Sequence, residues 1–534
     1  MNRLLDAVET GILWTRLISI VEEVATVLLN TSFTPVVREA GDLSAGIFDR
    51  RGRMIAQAVT GTPGHINTMA TAVRAFAERH PLDTLAPGDS LASNDPWLTS
   101  GHLHDVTMVT PLFHRGRAVG WAANTCHMAD IGGRTLGAEA LDVHEEGLRL
   151  PVVKLVEAGV MHPLLRELIA ANVRVPEMVL GDLQAMAAAN HRAGSRLAEL
   201  LDDAGLEDIE SVADTICARS EAALRDRIAA LPDGSGTGEV TLDGYDEPIT
   251  LRARVTVTGD ALAVDFAGTS PRTREGINVV LNYTHAYTTY PLACLLSPDI
   301  PHNAGSFLPI RVTAPVDSVL NALPPAPVAA RHIVGHFLPA AVFAAMRRFL
   351  PERVPADGNC GLWASHFEGE RPGGGRFVFT LFSNGGMGAR RGADGHAATS
   401  FPSGVQNVPV EIIESTTPLL VHRRALREDS GGAGTWRGGL GQRLTLSVRG
   451  PGAMHSCIYE RIHHPAAGCL GGRDGAPGRV VLDDGTEPHP KKKYFLEGGR
   501  QVTLELPGGG GYGPPEERSE EARRCDLEGG YVTE

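Results

Sequence analysis

No apolar run in this chain reaches the roughly 18 residues that a membrane-spanning helix needs. Positive charge is also in short supply. Lys and Arg number 49 against 63 Asp and Glu, a formal net charge of −14, which argues against a nucleic-acid partner, since phosphates call for a basic surface. The cysteines at 126, 217, 294, 360, 457, 469 and 525 include no C-x-x-C pair. Neither a disulfide framework nor a cysteine zinc site is therefore expected, and the cytoplasm is the expected compartment. The opening MNRLLDAVETGILWTRLISIVEEVATVLLN lacks the uninterrupted core of a signal peptide. Its acids recur at helical spacing, so it reads as an amphipathic helix over about residues 10–30. No repeat of solenoid type is present.

What is present fits a large soluble α+β protein. A chain of 534 residues, 43% hydrophobic and 21% charged, has material for two or three domains with ordinary cores. Composition divides it into an α+β region over residues 1–155, a helical segment over 156–233, a β-rich region over 234–515 and a charged tail over 516–534. In the first region, GDLSAGIFDRRGRMIAQ reads as strand, turn and strand, and PGHINTMATAVRAFAERH as a loop delivering a helix with His65 at its start. In the second, apolar residues at three- and four-residue steps mark long helices. Asp182 and Asn190 interrupt their apolar faces and are expected on solvated surfaces. In the third, a helix at HFLPAAVFAAMRRFL is embedded among strands. The tail is expected to fray.

Sixty-two glycines and 35 prolines gather mainly in the C-terminal half, in FSNGGMGARRGADG, DSGGAGTWRGGLGQ and LPGGGGYGPP. Arg390, Arg391 and Arg437 lie among them, which invites a phosphate-cradling reading. Glycines that permit positive φ and close strand packing are the simpler account.

The chemistry concentrates in two adjoining segments, SGHLHDVTMVTPLF and GRAVGWAANTCHMADIGG. Both are strand-like and flank a short polar turn, as a β-hairpin requires. Closing the hairpin returns His127 to the neighbourhood of His102 and Asp105, a set suited to Zn, Mn or Fe with positions left open for substrate. If Phe113 pairs with Ala118, His104 faces His127. If an Arg115-Gly116-Arg117 turn adds a bulge, Asp105 does, because one residue of slip moves every side chain to the other face. Pro111 points to an edge or an irregularity. The bland alternative is histidines that satisfy hydrogen bonds at a sheet edge. Cys126 adjoins the cluster and reads as a small core residue rather than a nucleophile.

These segments, with PGHINTM, NDPWLTSGHLHDVTMVTP, NVPVEIIE, DSGGAGTWRGGLG and LPGGGGYGPP in order, resemble the hydantoinase B/oxoprolinase family over nearly the whole chain. The resemblance implies the metal-containing subunit of an ATP-dependent cyclic-amide hydrolase, related to the metal subunits of acetone and acetophenone carboxylases. It implies metal ligands at Asp42, His102, Asp105 and His127, and a hydantoinase A-like ATPase subunit that phosphorylates the substrate oxygen. Where this chain has His104 the family usually has proline, so the ligand set could be altered. No Gly-Lys-Ser/Thr P-loop string occurs, in keeping with ATP bound by the partner. Asp130 is read either as a support for an imidazole or as a turn residue beside Gly132.

A cyclic amide is a poor electrophile. Phosphorylating its oxygen makes a leaving group, and a metal then helps water attack. A base or proton relay is needed, for which His65, Glu145 and Glu146 are the candidates, the two glutamates having solvated carboxylates as their alternative. Arg390 is a remote candidate for guiding a phosphorylated intermediate between subunits. Two copies of each subunit are expected in the assembly. A ketone carboxylase, and a scaffold for the ATPase subunit, are the competing readings.

Overall fold

The computed structural model describes residues 6–59 and 61–533. The first five residues of the amphipathic opening lie outside the described residues. The expected N-terminal helix runs Ala7–Thr31. The Asp6 carboxylate accepts from the Val8 and Glu9 amides, while Glu9 accepts from the Asp6 amide, a reciprocal cap that satisfies otherwise orphaned donors.

The site is carried by a seven-stranded antiparallel sheet. Its strands are β1 (Leu43–Phe48), β2 (Met54–Gln57), β3 (Ser90–Ser93), β4 (Asp105–His114), β5 (Arg117–His127), β6 (Val153–Glu157) and β7 (Val160–Met161), in the order β2-β1-β5-β4-β3-β6-β7. Helices Ala7–Thr31 and Pro176–Ala204 cover one face and helix Pro63–Arg79 the other. Side chains alternate accordingly. Val106, Met108, Ala122 and Cys126 join the first core, whereas Val109, Trp121 and Ala123 join the core under Pro63–Arg79. Both faces are covered, so β4 and β5 are buried almost throughout, and a hairpin without an exposed face reads as a nearly continuous apolar run.

The hairpin contains both registers that the sequence allows. Next to the turn, Phe113 pairs with Ala118 across Arg115 and Gly116, which have φ of 48° and 76°, as a two-residue primed turn demands. The pairing then slips. Leu112 faces Gly120, Val119 is the extra residue, and from there on Asp105 faces His127. The bulge is thus inside β5 rather than in the turn. Pro111 belongs to a central strand, but it lies past the last pairing of β4 with β3, Leu91 to Val109, and one residue before the slip.

The middle segment forms helices Pro163–Asn172, Pro176–Ala204 and Glu210–Ala229. The solvated placement expected of Asp182 and Asn190 is overturned. Asp182 is buried and accepts from the Phe33 and Thr34 amides and the Thr34 hydroxyl. Asn190 is buried between Asn124 and the Met108 carbonyl. Polar breaks in these apolar faces are internal hydrogen-bond groups, because a buried polar atom needs a partner.

Three four-stranded sheets follow. In one, Gly236 and Gly238 lie so close to helix Leu338–Met346 that a Cβ on either would stand 2.2 Å from the Ala345 or Ala341 carbonyl. A helix over Leu281–Leu296, not foreseen in the sequence, carries Tyr283 and Tyr287 inward. Apart from their ends, the glycine-rich segments lie outside the strands. Their backbones bond in several directions, as when Gly509 donates to Gly439 and accepts from Gly432, while Gly510 donates to Asp357 and accepts from Ala389. None of Gly508 to Gly511 has a positive φ. Close approach, not left-handed backbone, is why they are glycine. The tail does not fray. Helix Glu520–Glu528 docks through buried Asp526, which Arg437 and Arg518 hold.

Candidate metal centre

Strand ends bring the first candidate ligands together. Asp105 opens β4 and His127 closes β5 directly opposite it. Asp42 precedes β1 and its carbonyl accepts from the His127 amide at 3.2 Å. Alternation turns Asp105 and His127 to the face beneath Pro63–Arg79, the helix whose first turn holds His65. His102 arrives from the loop before β4.

The four side chains are buried. One oxygen of Asp105, Oδ1, lies 2.7 Å from His102 Nε2 and 3.0 Å from His127 Nδ1. The ligand atoms of His102, Asp105 and His127 all lie within 4.8 Å of one another. Asp42 is at the edge of the group, its Oδ2 standing 3.9 Å from His127 Nδ1. Its Oδ1 accepts from the Thr62 hydroxyl at 2.9 Å and is 3.7 Å from His65 Nε2. The other Asp105 oxygen, Oδ2, is fully used, by Ser100 Oγ and His65 Nε2 at 2.8 Å each and Arg331 Nη2 at 2.5 Å.

His102 makes the strongest case for a cation. Its Nδ1 donates to the Ala329 carbonyl at 2.9 Å, so the neutral ring has only a lone pair left at Nε2. That lone pair confronts a carboxylate oxygen 2.7 Å away, yet Nε2 makes no hydrogen bond. A proton on Nε2 is disfavoured, because burial and then Arg331 push this imidazole down to about 4. Burial alone would raise Asp105, but its cationic neighbours His65 and Arg331 hold it well below the usual carboxylate range. A lone pair facing an anion calls for a positive ion between them. Approaches near 3 Å are also the ligand–ligand spacing that bonds of about 2.1 Å produce. The donor set therefore fits a divalent metal.

Of the other candidate residues, His65 belongs to the group and Glu145, Glu146 and His104 lie outside its cavity. His65 touches both carboxylates, and although burial lowers it, Asp105 and Asp42 raise it above its ordinary value. Glu145 is partly exposed and paired with Arg134 at 2.8 Å. Glu146 is buried behind the site rather than in it. Its Oε1 accepts from the Val328 and Ala329 amides at 2.5 and 2.8 Å, next to the carbonyl that holds His102. Burial pushes its carboxyl up to about 8 against those two hydrogen bonds. The His104 ring stacks on His127, with centroids 5.5 Å apart, and lines a small cavity with Glu146, not the ligand cavity.

Asp130 supports no imidazole. It accepts from the Gly132 amide and pairs with Arg174 at 2.7 Å. Burial holds the Cys126 thiol well above its ordinary value, as befits a core residue. Arg390 is exposed, Arg391 pairs with Glu352 and Arg437 with Asp526, and none of the three lines the ligand cavity.

The sequence reading missed a whole wall of this cavity. Arg331, His332, His336 and Tyr283 line it. Arg331 lies over the Tyr283 ring at 4.2 Å, and His332 Nε2 and His336 Nδ1 have no hydrogen-bond partner among the described residues. Burial keeps both imidazoles low, His336 to about 3. The signal was there: ARHIVGH puts two histidines four residues apart beside an arginine in an apolar stretch.

Comparison with known proteins gives a consistent picture. The family model described as hydantoinase B/oxoprolinase matches residues 6–515. A Pseudomonas sp. protein provisionally named as one subunit of a D-/L-hydantoinase is 30% identical over 99% of this chain and 93% of its own. The beta chain of the caprolactamase of Pseudomonas jessenii is 29% identical over 96% of this chain and 91% of its own. The crystal structure of the ATP-dependent caprolactamase from Pseudomonas jessenii superimposes with a TM-score of 0.92 at 28% identity, over 99% of this chain and 95% of that one. An acetone carboxylase structure superimposes with a TM-score of 0.88 over 98% of this chain and 78% of that one, but at 19% identity it shows the fold alone.

Proposed function

This chain belongs to the hydantoinase B/oxoprolinase family, and from that membership we propose that it is the metal-holding subunit of an ATP-dependent cyclic-amide hydrolase. It works with a hydantoinase A-like ATPase subunit, two copies of each, in the cytoplasm. The partner binds ATP and phosphorylates the amide oxygen. Relatives named as single subunits of larger enzymes support the partnership, and so does the absence of a P-loop string here. The observation that carries the metal role is His102 Nε2, which makes no hydrogen bond, held 2.7 Å from the same Asp105 oxygen that His127 Nδ1 approaches at 3.0 Å.

A Zn, Mn or Fe ion held by Asp42, His102, Asp105 and His127 would supply Lewis acidity to polarise the substrate and activate water. The protein's own groups do the rest. Ser100, His65 and Arg331 fix one oxygen of Asp105 and leave the other free to ligate, as supporting shells do in metal sites. The Ala329 carbonyl fixes the His102 tautomer, and the Glu146 carboxyl fixes Ala329. His65 stands against both carboxylates and is the candidate to hold or pass a proton at Nε2. Glu145, paired with Arg134 at the surface, has no part.

The test is the co-expressed pair supplied with hydantoin, ε-caprolactam, 5-oxoproline, or a ketone with bicarbonate. We expect ATP-dependent ring opening, and His127→Ala should remove the bound metal and lower turnover on the order of a hundredfold or more. Full activity in His127→Ala would leave only a scaffold for the ATPase. Turnover of the ketone alone would make the protein a carboxylase subunit.

A further inference from the structure

The cavity among the metal ligands has a volume of only about 30 Å³, room for about one water molecule and not for a ring substrate. Beside it lies a cavity of about 530 Å³, within the size range of small-molecule sites. The two share thin walls. Thr62 and Ser403 line the smaller cavity, while their neighbours Gly61, Pro63, Pro402 and Gly404 line the larger one. A Cβ on Gly404 would stand 3.0 Å from the Gly61 carbonyl, so the two chain segments that line both cavities are in close contact there.

We propose that this larger cavity seats the ring of an uncharged cyclic amide, with Gln57 and His302 recognising its polar edge. The inference rests on the hydrolase reading and deepens it. The lining is mainly aliphatic and aromatic, with Ile18, Ile66, Ile300, Tyr290 and Phe307 prominent. Gln57 and His302 are among its lining residues, and Gln57 Oε1 and His302 Nδ1 are buried without hydrogen-bond partners among the described residues. Such atoms are costly unless a ligand completes them, and an apolar space with a few convergent polar groups is how small-molecule sites are built.

Their chemistry selects the ligand. Gln57 Oε1 can only accept, which suits an amide N–H. Burial lowers His302, and a neutral imidazole can donate to a carbonyl. Among the described residues, no Lys or Arg lines the cavity, and the one lining acid is Asp299. Arg227 binds that carboxylate bidentately at 2.6 and 2.8 Å. A ring bearing a carboxylate, such as 5-oxoproline, would meet an acid there and no free counter-ion.

The test is calorimetric titration of the full-length chain with ε-caprolactam, hydantoin, an N-methylated form of each, and 5-oxoproline. At least one uncharged ring should bind about tenfold or more tightly than both 5-oxoproline and its own N-methylated form. Gln57→Leu should bring the N–H and N-methyl forms to within about twofold of each other, since it removes the acceptor. Ile300→Trp should weaken every ring by filling the space. Equal or tighter binding of 5-oxoproline, no binding of either uncharged ring, or an N–H preference that survives Gln57→Leu overturns the inference. The two readings separate cleanly. Ring opening that depends on His127 in the pair but is blind to Gln57→Leu and Ile300→Trp refutes the cavity and keeps the hydrolase. The predicted ring preference in a pair that opens no cyclic amide refutes the hydrolase and keeps the cavity.

Discussion

At His102, one hydrogen bond to a main-chain carbonyl decides which ring nitrogen is free, and Glu146 stands behind that decision. Glu146→Gln keeps an oxygen that can accept from both the Val328 and Ala329 amides, so metal affinity should stay close to that of the parent protein. Glu146→Ala removes the acceptor, and metal affinity should fall about 10- to 100-fold, as for other groups that orient a ligand. Chelator competition would distinguish the two, and equal affinities would refute the positioning role. The same carboxyl predicts a pH dependence. Because its folded value is raised to about 8 from 4.5, the folded state binds the proton more tightly than the unfolded state does. Its stability contribution is therefore complete below 4.5 and declines as pH rises towards 8. With 1.36 kcal/mol per unit, the ceiling is about 5 kcal/mol. Urea midpoints between pH 5 and 8.5 should fall more steeply in the parent protein than in Glu146→Gln, and parallel curves would contradict the assignment. Residue identity showed that His102, Asp105 and His127 were chemically unusual. It could not show that Arg331, His332 and His336, more than 200 positions away, complete the wall.

In the β4–β5 hairpin, a single extra residue, Val119, sets the chemistry. Turn rules correctly predict the two-residue pairing beside Arg115 and Gly116, but that register alone would place His104 opposite His127. The slip at Val119 exchanges His104 for Asp105; Pro111 signals an irregularity nearby, but not which residue is the extra one. Deleting Val119 removes only the unpaired residue, so Leu112 stays opposite Gly120 and Asp105 opposite His127, and His127 keeps its face of the sheet. Elemental analysis of the purified variant should then find parent-like bound metal, and loss of the metal would refute the register argument. The glycine-rich segments teach the complementary lesson. Their abundance was legible as close packing, but which backbones approach was not. A Cβ on Gly509 would stand 2.1 Å from the Met387 carbonyl, whereas Gly373 has nothing within 4 Å. Gly509→Ala should therefore destabilise by about 3 kcal/mol or more through overpacking. Gly373→Ala should bear only the milder strain of its φ of +97°. Thermal melts of the two would rank them, and the reverse order would show that backbone freedom dominates.

For the molecule as a whole, the C-terminal helix closes the structure by seating Asp526 between Arg437 and Arg518. Asp526→Ala leaves two largely buried guanidinium groups without that partner and should cost about 3–5 kcal/mol, measurable as a lower urea midpoint. An unchanged midpoint would mean that the tail is an ornament. By itself the sequence determined the α+β class, the long helices of the middle segment, the β4–β5 hairpin, the family and the unusual chemistry of His102, Asp105 and His127. These follow from local periodicity, turn chemistry and motifs whose residues are near neighbours along the chain. Tertiary structure alone decided that Asp105 and not His104 faces His127, that Glu146 lies behind the site, and that Asp182, Asn190 and Asp526 are internal. It alone decided, too, that a second wall and a larger cavity adjoin the ligands. The physical reason is common to all of these: each depends on burial and contact between segments far apart in the chain, and no local pattern encodes the partner against which a side chain will be packed.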